Sequence, residues 1–134
     1  MRTVLFVERD KDIREYVSEF AQDHLAELFQ AHAVSSLNEA ELILRRETFD
    51  GMILDAVHPG LTDLLAFVRD VRHRDFKLPI VALVAYSDMI LNQRLKETLR
   101  QAGVSIANKI EALKDGNLSR LFQACCDRGF GEEL

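Results

Sequence analysis

Short apolar runs alternate with helical patterns from one end of the chain to the other. Residues 3–7 (TVLFV) are apolar and rich in β-branched side chains, a run whose length and type predict a strand buried on both faces. Ile13, Val17, Phe20, Ala21, Leu25 and Leu28 then recur at the helical period, with charged residues filling the opposite face. Residues 28–34 (LFQAHAV) supply a second strand, less apolar and therefore nearer an edge. Ser36 with Glu39 has the spacing of a capping box, and Ala40, Ile43 and Leu44 line one face of the helix that follows. Residues 51–57 (GMILDAV) form a third strand that runs into an acid.

A Pro59–Gly60 turn leads to a helix in which Leu64, Phe67, Val68 and Val71 share a face. Residues 78–86 (LPIVALVAY) are the most apolar run, the natural central strand, with Pro79 tolerated at its start. Ser87 is placed to cap the next helix, where Ile90, Leu91, Leu95, Leu99 and Ala102 are periodic and Gly103 marks the stop. Residues 104–107 (VSIA) give a last short strand, and a helix bearing Leu113, Leu118, Leu121, Phe122 and Cys125 follows. Five βα units joined by short connections predict an α/β fold: a flavodoxin-like, doubly wound, five-stranded parallel sheet with helices on both faces. The expected organisation is one domain over residues 1–128 and a loose C-terminal tail over residues 129–134.

Composition narrows the function without fixing it. The chain has 134 residues, a net charge of −5 and a pI near 5.3, which argues against a broad nucleic-acid face. No apolar run approaches the roughly 20 residues of a membrane helix, and the first residues are too short an apolar stretch for a signal peptide. Cys125 and Cys126 are adjacent, so on a helix they point apart and form neither a disulfide framework nor a metal clip. A reducing, cytoplasmic setting is the expectation.

In an open parallel sheet, chemistry collects beyond the carboxyl ends of the strands, where the strand order reverses. Glu8, Arg9 and Asp10 follow the first strand, Asp55 ends the third, Val84 the fourth, and Asn108 and Lys109 the fifth. Acids from two strand ends with a lysine from a third make a small acidic pocket with a built-in counter-ion. Such an acid could coordinate a hard divalent cation through oxygen. It could equally act as a nucleophile toward phosphorus while cations neutralise the developing charge. Asp10 joins Glu8 as a candidate pocket acid, although it suits better the N-cap of a helix starting at Lys11.

Four segments carry a resemblance. VERDKDIREYV (7–17), GMILDAVHPG (51–60), LPIVALVA (78–85) and QAGVSIANK (101–109) resemble, in order, the conserved segments of bacterial response-regulator receiver domains. The resemblance implies strand order 2-1-3-4-5, Asp55 as phosphoacceptor, Glu8 as the first of two pocket acids and Lys109 as the pocket lysine. It also implies Mg²⁺ as cofactor, a histidine kinase or phosphotransfer protein as donor, and output through a downstream protein or a homodimer, with no nucleic acid or membrane as partner and no enzymatic turnover.

The departures from the family pattern fall on the pocket. Arg9 stands where the family has the aspartate that binds Mg²⁺ directly, and Val84 stands where it has Thr or Ser. Ile110 replaces the proline after the lysine, and neither Ile106 nor Ala107 is the aromatic switch residue. The expectation is therefore a degenerate receiver in which Arg9 and Lys109 supply the pocket's positive charge and no metal binds. Phosphorylation of Asp55 is then impaired, or the module binds partners independently of it. A flavodoxin-like enzyme is the remaining class, disfavoured because no phosphate-cradling Gly or Ser/Thr loop follows the first strand.

Overall fold

The structure, a computed structural model, describes residues 1–56, 61–75, 77–85 and 89–134. The Pro59–Gly60 turn, His58, Tyr86 and the Ser87 cap lie outside them, as do the side chains of Ile90 and Leu91. The strands are β1 (Arg2–Val7), β2 (Phe29–Val34), β3 (Gly51–Asp55), β4 (Ile80–Val84) and β5 (Ser105–Asn108). The helices are α1 (Lys11–His24), α2 (Leu37–Leu44), α3 (Leu61–Arg74), α4 (Met89–Gln101), α5 (Lys109–Ala112) and α6 (Asp115–Arg128). All strand pairs are parallel, as the βα alternation predicts, and the order is β2-β1-β3-β4-β5, the one the resemblance implies.

The period of two along each strand sorts the apolar side chains into two layers. Leu5, Val7, Met52, Leu54, Ile80, Ala82 and Val84 pack with Ala40, Leu64, Phe67, Val68 and Leu99, the inner faces of α2, α3 and α4. Val4, Phe6, Ile53, Val81, Leu83 and Ala107 point the other way, against Val17, Ala21, Leu118, Phe122 and Cys125 of α1 and α6. Burial of each large side chain contributes about 1.5–3 kcal/mol. Phe29 and Phe122 meet edge-on with ring centres 5.7 Å apart, tying the β2 edge to α6. Close packing fixes Gly51 as well: a Cβ there would sit 2.9 Å from the Cys125 sulfur.

Helix ends follow their local chemistry. The Ser36 hydroxyl accepts from the Glu39 N–H at 3.1 Å, while the Glu39 carboxylate reaches back to the N–H and hydroxyl of Ser35, one residue beyond the usual capping-box partner. Those bonds hold the Glu39 carboxyl below its ordinary range. Gly103 takes a positive φ of 76°. Its N–H bonds to Arg100 and the Val104 N–H bonds to Leu99, a Schellman ending for α4. Arg72 reinforces the same place: its half-buried guanidinium donates to the carbonyls of Ala102, Gly103, Leu78 and Asp75 at 2.6–3.3 Å.

Three expectations need correction. The first helix stops at His24, where Leu25 caps it, and a turn closed by Phe29 N–H to Leu25 O leaves Leu28 62% exposed instead of on the apolar face. The last helical stretch is broken into α5 and α6, with Leu113 in the break. The tail at 129–134 is not loose. Ile106 N–H bonds to Glu132 O at 2.8 Å and Leu134 N–H to Ile106 O at 2.7 Å, a parallel bridge on the outer edge of β5. The Ser105 hydroxyl, buried and polar, fixes the approach: it donates to Arg128 O and accepts from the N–H groups of Gly131 and Glu132. An unpaired edge next to a buried hydroxyl is what the polar composition of RGFGEEL concealed.

Candidate functional site

β1 and β3 lie side by side with Val7 opposite Leu54, so one step further Glu8 comes beside Asp55. Parity then selects the face. Glu8 continues the row of Val4 and Phe6, Asp55 continues that of Ile53, and both carboxylates turn toward the α1–α6 layer. From β5, Asn108 caps α5 by accepting the Glu111 N–H at 3.0 Å, and that turn sends Lys109 back across the strand ends.

The Lys109 ammonium donates to both Glu8 oxygens, at 2.9 and 3.2 Å, and stands 3.3 Å from Asp55 Oδ1. Glu8 is fully buried, Asp55 is 4% exposed and Lys109 9%. One ammonium thus serves two desolvated carboxylates from three different strand ends. Burial pushes the Glu8 carboxyl above its ordinary range; the hydrogen bond from Lys109 opposes this, and the neighbouring Asp55 charge adds to the rise.

The loop between β1 and α1 is fixed from below. Arg14 Nη1 donates to the carbonyls of Glu8 and Arg9, at 2.9 and 2.7 Å. Sequence reasoning gives Arg14 no role; the available signal is a long cation one helical turn past two strand-end carbonyls that no ladder satisfies. Asp55 also borders an open cleft of about 560 Å³ on the opposite side, walled by Val7, Arg9, Ser35, Leu37, Asp63 and Phe67.

Arg9 falls elsewhere than the sequence suggested, whereas Asp10 and Val84 stand where the N-cap and strand-end readings put them. Arg9 is exposed and, among the described residues, makes no ion pair; there the pocket's counter-ion is Lys109. The reason is parity again, since Arg9 follows the row of Leu5 and Val7 while Glu8 faces away from it. Asp10 is not a pocket acid: its Oδ1 accepts the N–H groups of Asp12 and Ile13, at 2.8 and 3.3 Å, as the N-cap of α1. Val84 is 5% exposed and packs into the layer of α3 and α4. Among the described residues, no three His, Cys, Asp or Glu side chains are grouped to hold a metal ion.

No protein-family model matches the sequence, and no curated protein matches it significantly. Solved structures do. The chemotaxis response regulator CheY4 of Vibrio cholerae superposes with a TM-score of 0.73 at 23% identity, covering 93% of this chain and 98% of that one. The isolated REC domain of RcsB from Salmonella enterica serovar Typhimurium gives 0.74 at 12% identity, covering 98% and 92%. A sensor protein from Polaromonas sp. JS666 gives 0.72 at 19% identity, covering 96% and 98%.

The fold is that of a response-regulator receiver domain.

Within the receiver fold, the Glu8–Lys109–Asp55 cluster occupies the carboxyl ends of β1, β3 and β5, where the strand order reverses. No helix among the described residues is long and apolar enough to cross a membrane.

Proposed function

We propose that the chain is a signalling receiver of the two-component type, with Asp55 at the phosphoacceptor position and with phosphorylation impaired. The observation that carries this reading is the Lys109 ammonium bridging Glu8 and Asp55 at the strand ends. In the competent reaction an Asp55 oxygen attacks phosphorus, the bond from phosphorus to the donor nitrogen or oxygen breaks, and an acyl phosphate forms. The donor is a histidine kinase or phosphotransfer protein, whose imidazole leaves with the bonding electron pair. Lys109 offsets part of the charge on the transferred group.

Three features oppose that reaction here. Both Glu8 oxygens are engaged by Lys109, Asp10 is committed to its helix cap, and Arg9 takes the place of a metal-binding acid. This donor set does not suit Mg²⁺. Val84 adds a further handicap, because its side chain offers no hydroxyl to the phosphoryl oxygens, a bond of about 1.5–3 kcal/mol when one partner is charged. The same facts favour the second reading, a pseudo-receiver that signals through protein contacts without phosphorylation.

Intact-mass measurement after treatment with acetyl phosphate, with and without Mg²⁺, separates the two. The expected result is slow, substoichiometric addition of one phosphoryl group, absent in Asp55→Asn and insensitive to Mg²⁺. No addition at all leaves the pseudo-receiver reading standing. Rapid stoichiometric labelling that requires Mg²⁺ overturns the claim of impairment.

A further inference from the structure

The order β2-β1-β3-β4-β5 reverses between β1 and β3, and beyond the carboxyl ends of those two strands an open parallel sheet leaves a crevice. The Glu8–Lys109–Asp55 cluster occupies the α1–α6 side of that crevice. On the α2–α3 side lies the open cleft of about 560 Å³, a volume within the range of small-ligand sites. Val7 and Phe67, both buried, form its floor, while Leu37 of α2 and Ala66 of α3 line its walls. The polar groups around this apolar strip carry both signs of charge.

Two of those groups are already committed. Asp55 stands 3.3 Å from Lys109, and Glu41 is engaged by Arg45 at 3.1 Å and Arg74 at 3.5 Å. Arg9, Asp63 and Asp70 are exposed and, among the described residues, enter no ion pair. The described lining thus offers one cation and two carboxylates, and the fold sets their places. Arg9 follows the end of β1, Ser36 and Asn38 open α2 after β2, and Asp63 lies in the first turn of α3. Parallel pairing of the three strands brings all four residues to one end of the cleft. Asp70 is two turns further along α3, about 10 Å down the same face. The Ser36 hydroxyl accepts the Glu39 N–H at 3.1 Å, which leaves its hydrogen for an oxygen in the cleft.

We propose that this cleft is a binding site for a basic α-amino acid of the lysine or arginine class. The ligand mirrors the three uncommitted charges. Its carboxylate meets the planar fork of Arg9, with the Ser36 hydroxyl and the Asn38 amide as further donors. Its α-ammonium pairs with Asp63 at the same end. The methylene stem lies on Val7, Leu37, Ala66 and Phe67, where apolar surface leaves water, and the distal cation reaches Asp70. A neutral amino acid leaves Asp70 unmatched and a diamine leaves Arg9 unmatched, so selectivity follows from the pattern of charge as well as from shape. Binding is non-covalent and does not require a phosphoryl group on Asp55.

The test is an NMR titration of the full-length, unphosphorylated chain with L-lysine and L-arginine. Both should shift the amides of Leu37, Asn38, Ala66 and Phe67, saturating at millimolar concentration. Norleucine lacks the distal cation, cadaverine the carboxylate and Nα-acetyl-lysine the α-ammonium. Each should bind ~10-fold or more weakly than lysine, a decade in affinity for each lost pair. Asp70→Asn should abolish the preference for lysine over norleucine, and Arg9→Gln the preference for lysine over cadaverine. A merely structural role for either residue would leave those ratios unchanged. Both side chains are exposed; should either variant lose its fold, the ligand series on the native chain decides alone. The proposal is overturned by no shift with millimolar lysine, by shifts confined to residues outside the cleft, or by norleucine or cadaverine binding as tightly as lysine. Unchanged ratios in folded variants overturn it equally. With no phosphoryl donor present, the outcome is separate from the labelling of Asp55.

Discussion

Replacing Lys109 by Met removes the cation that, among the described residues, faces two desolvated carboxylates. At 2.9 Å and an effective dielectric near 20, its attraction to Glu8 amounts to about 6 kcal/mol before desolvation is subtracted. Much of that is offset by the cost of burying the ammonium itself, which Met does not incur. What remains is the penalty of leaving the fully buried Glu8 without the Lys109 charge, about 3–5 kcal/mol when one member of a buried pair is deleted. Urea unfolding at pH 7 should therefore show Lys109→Met destabilised by that amount.

The pH dependence gives an independent check. The Glu8 carboxyl is already raised above its ordinary value of 4.5 in the native chain. A carboxyl raised on folding binds its proton more readily in the folded state, so folding gains stability as pH falls through the folded pKa toward the unfolded one. Lys109→Met deletes the group that opposes the rise, and Glu8 moves further up. The variant's deficit should then shrink between pH 7 and about 5, and Glu8→Gln combined with Lys109→Met should recover a large part of it. A loss under about 1 kcal/mol at pH 7, against the 3–5 expected for a buried pair, refutes the reasoning. So does a deficit that grows on acidification.

Two further perturbations test the frame around the site. Arg72→Met leaves the carbonyls of Ala102, Gly103 and Leu78 without their common donor and should cost about 2–4 kcal/mol in thermal or urea unfolding, given 1–3 kcal/mol for each buried group left unsatisfied and partial access of water. Asp10→Ala should cost about 1 kcal/mol, the usual value of an N-cap, with no change in acetyl phosphate labelling of Asp55; a labelling defect would return Asp10 to the pocket.

The strand runs and the two helical layers were legible because burial on both faces leaves an unbroken apolar signature, as in residues 3–7 and 80–84, while the strand order followed from the four receiver-like segments. Asp55, Glu8 and Lys109 were legible because topology alone brings the ends of β1, β3 and β5 together. The role of Arg9 was misread for a reason equally physical. Sequence spacing placed it beside two acids, yet alternation along β1 turns adjacent residues to opposite faces, and the charge of Lys109 had already met the need. The seating of residues 129–134 left no sequence signature, since main-chain pairing and one serine hydroxyl hold it. Arg72 was hidden likewise in the mixed-charge stretch at the end of α3, because its partners are carbonyls.

Glu8 and Lys109 stand 101 positions apart and meet across the first and fifth strands. Closing so long a loop carries an entropic cost that is repaid only once the contact is made. A nascent chain that has laid down β1 and β3 holds both carboxylates next to each other with no cation, so they stay hydrated and resist enclosure. Burial of these strand ends becomes favourable only when β5 docks and delivers the ammonium. The cluster therefore couples completion of the sheet to its final strand, and its loss should appear chiefly in the unfolding rate, with folding speed little changed.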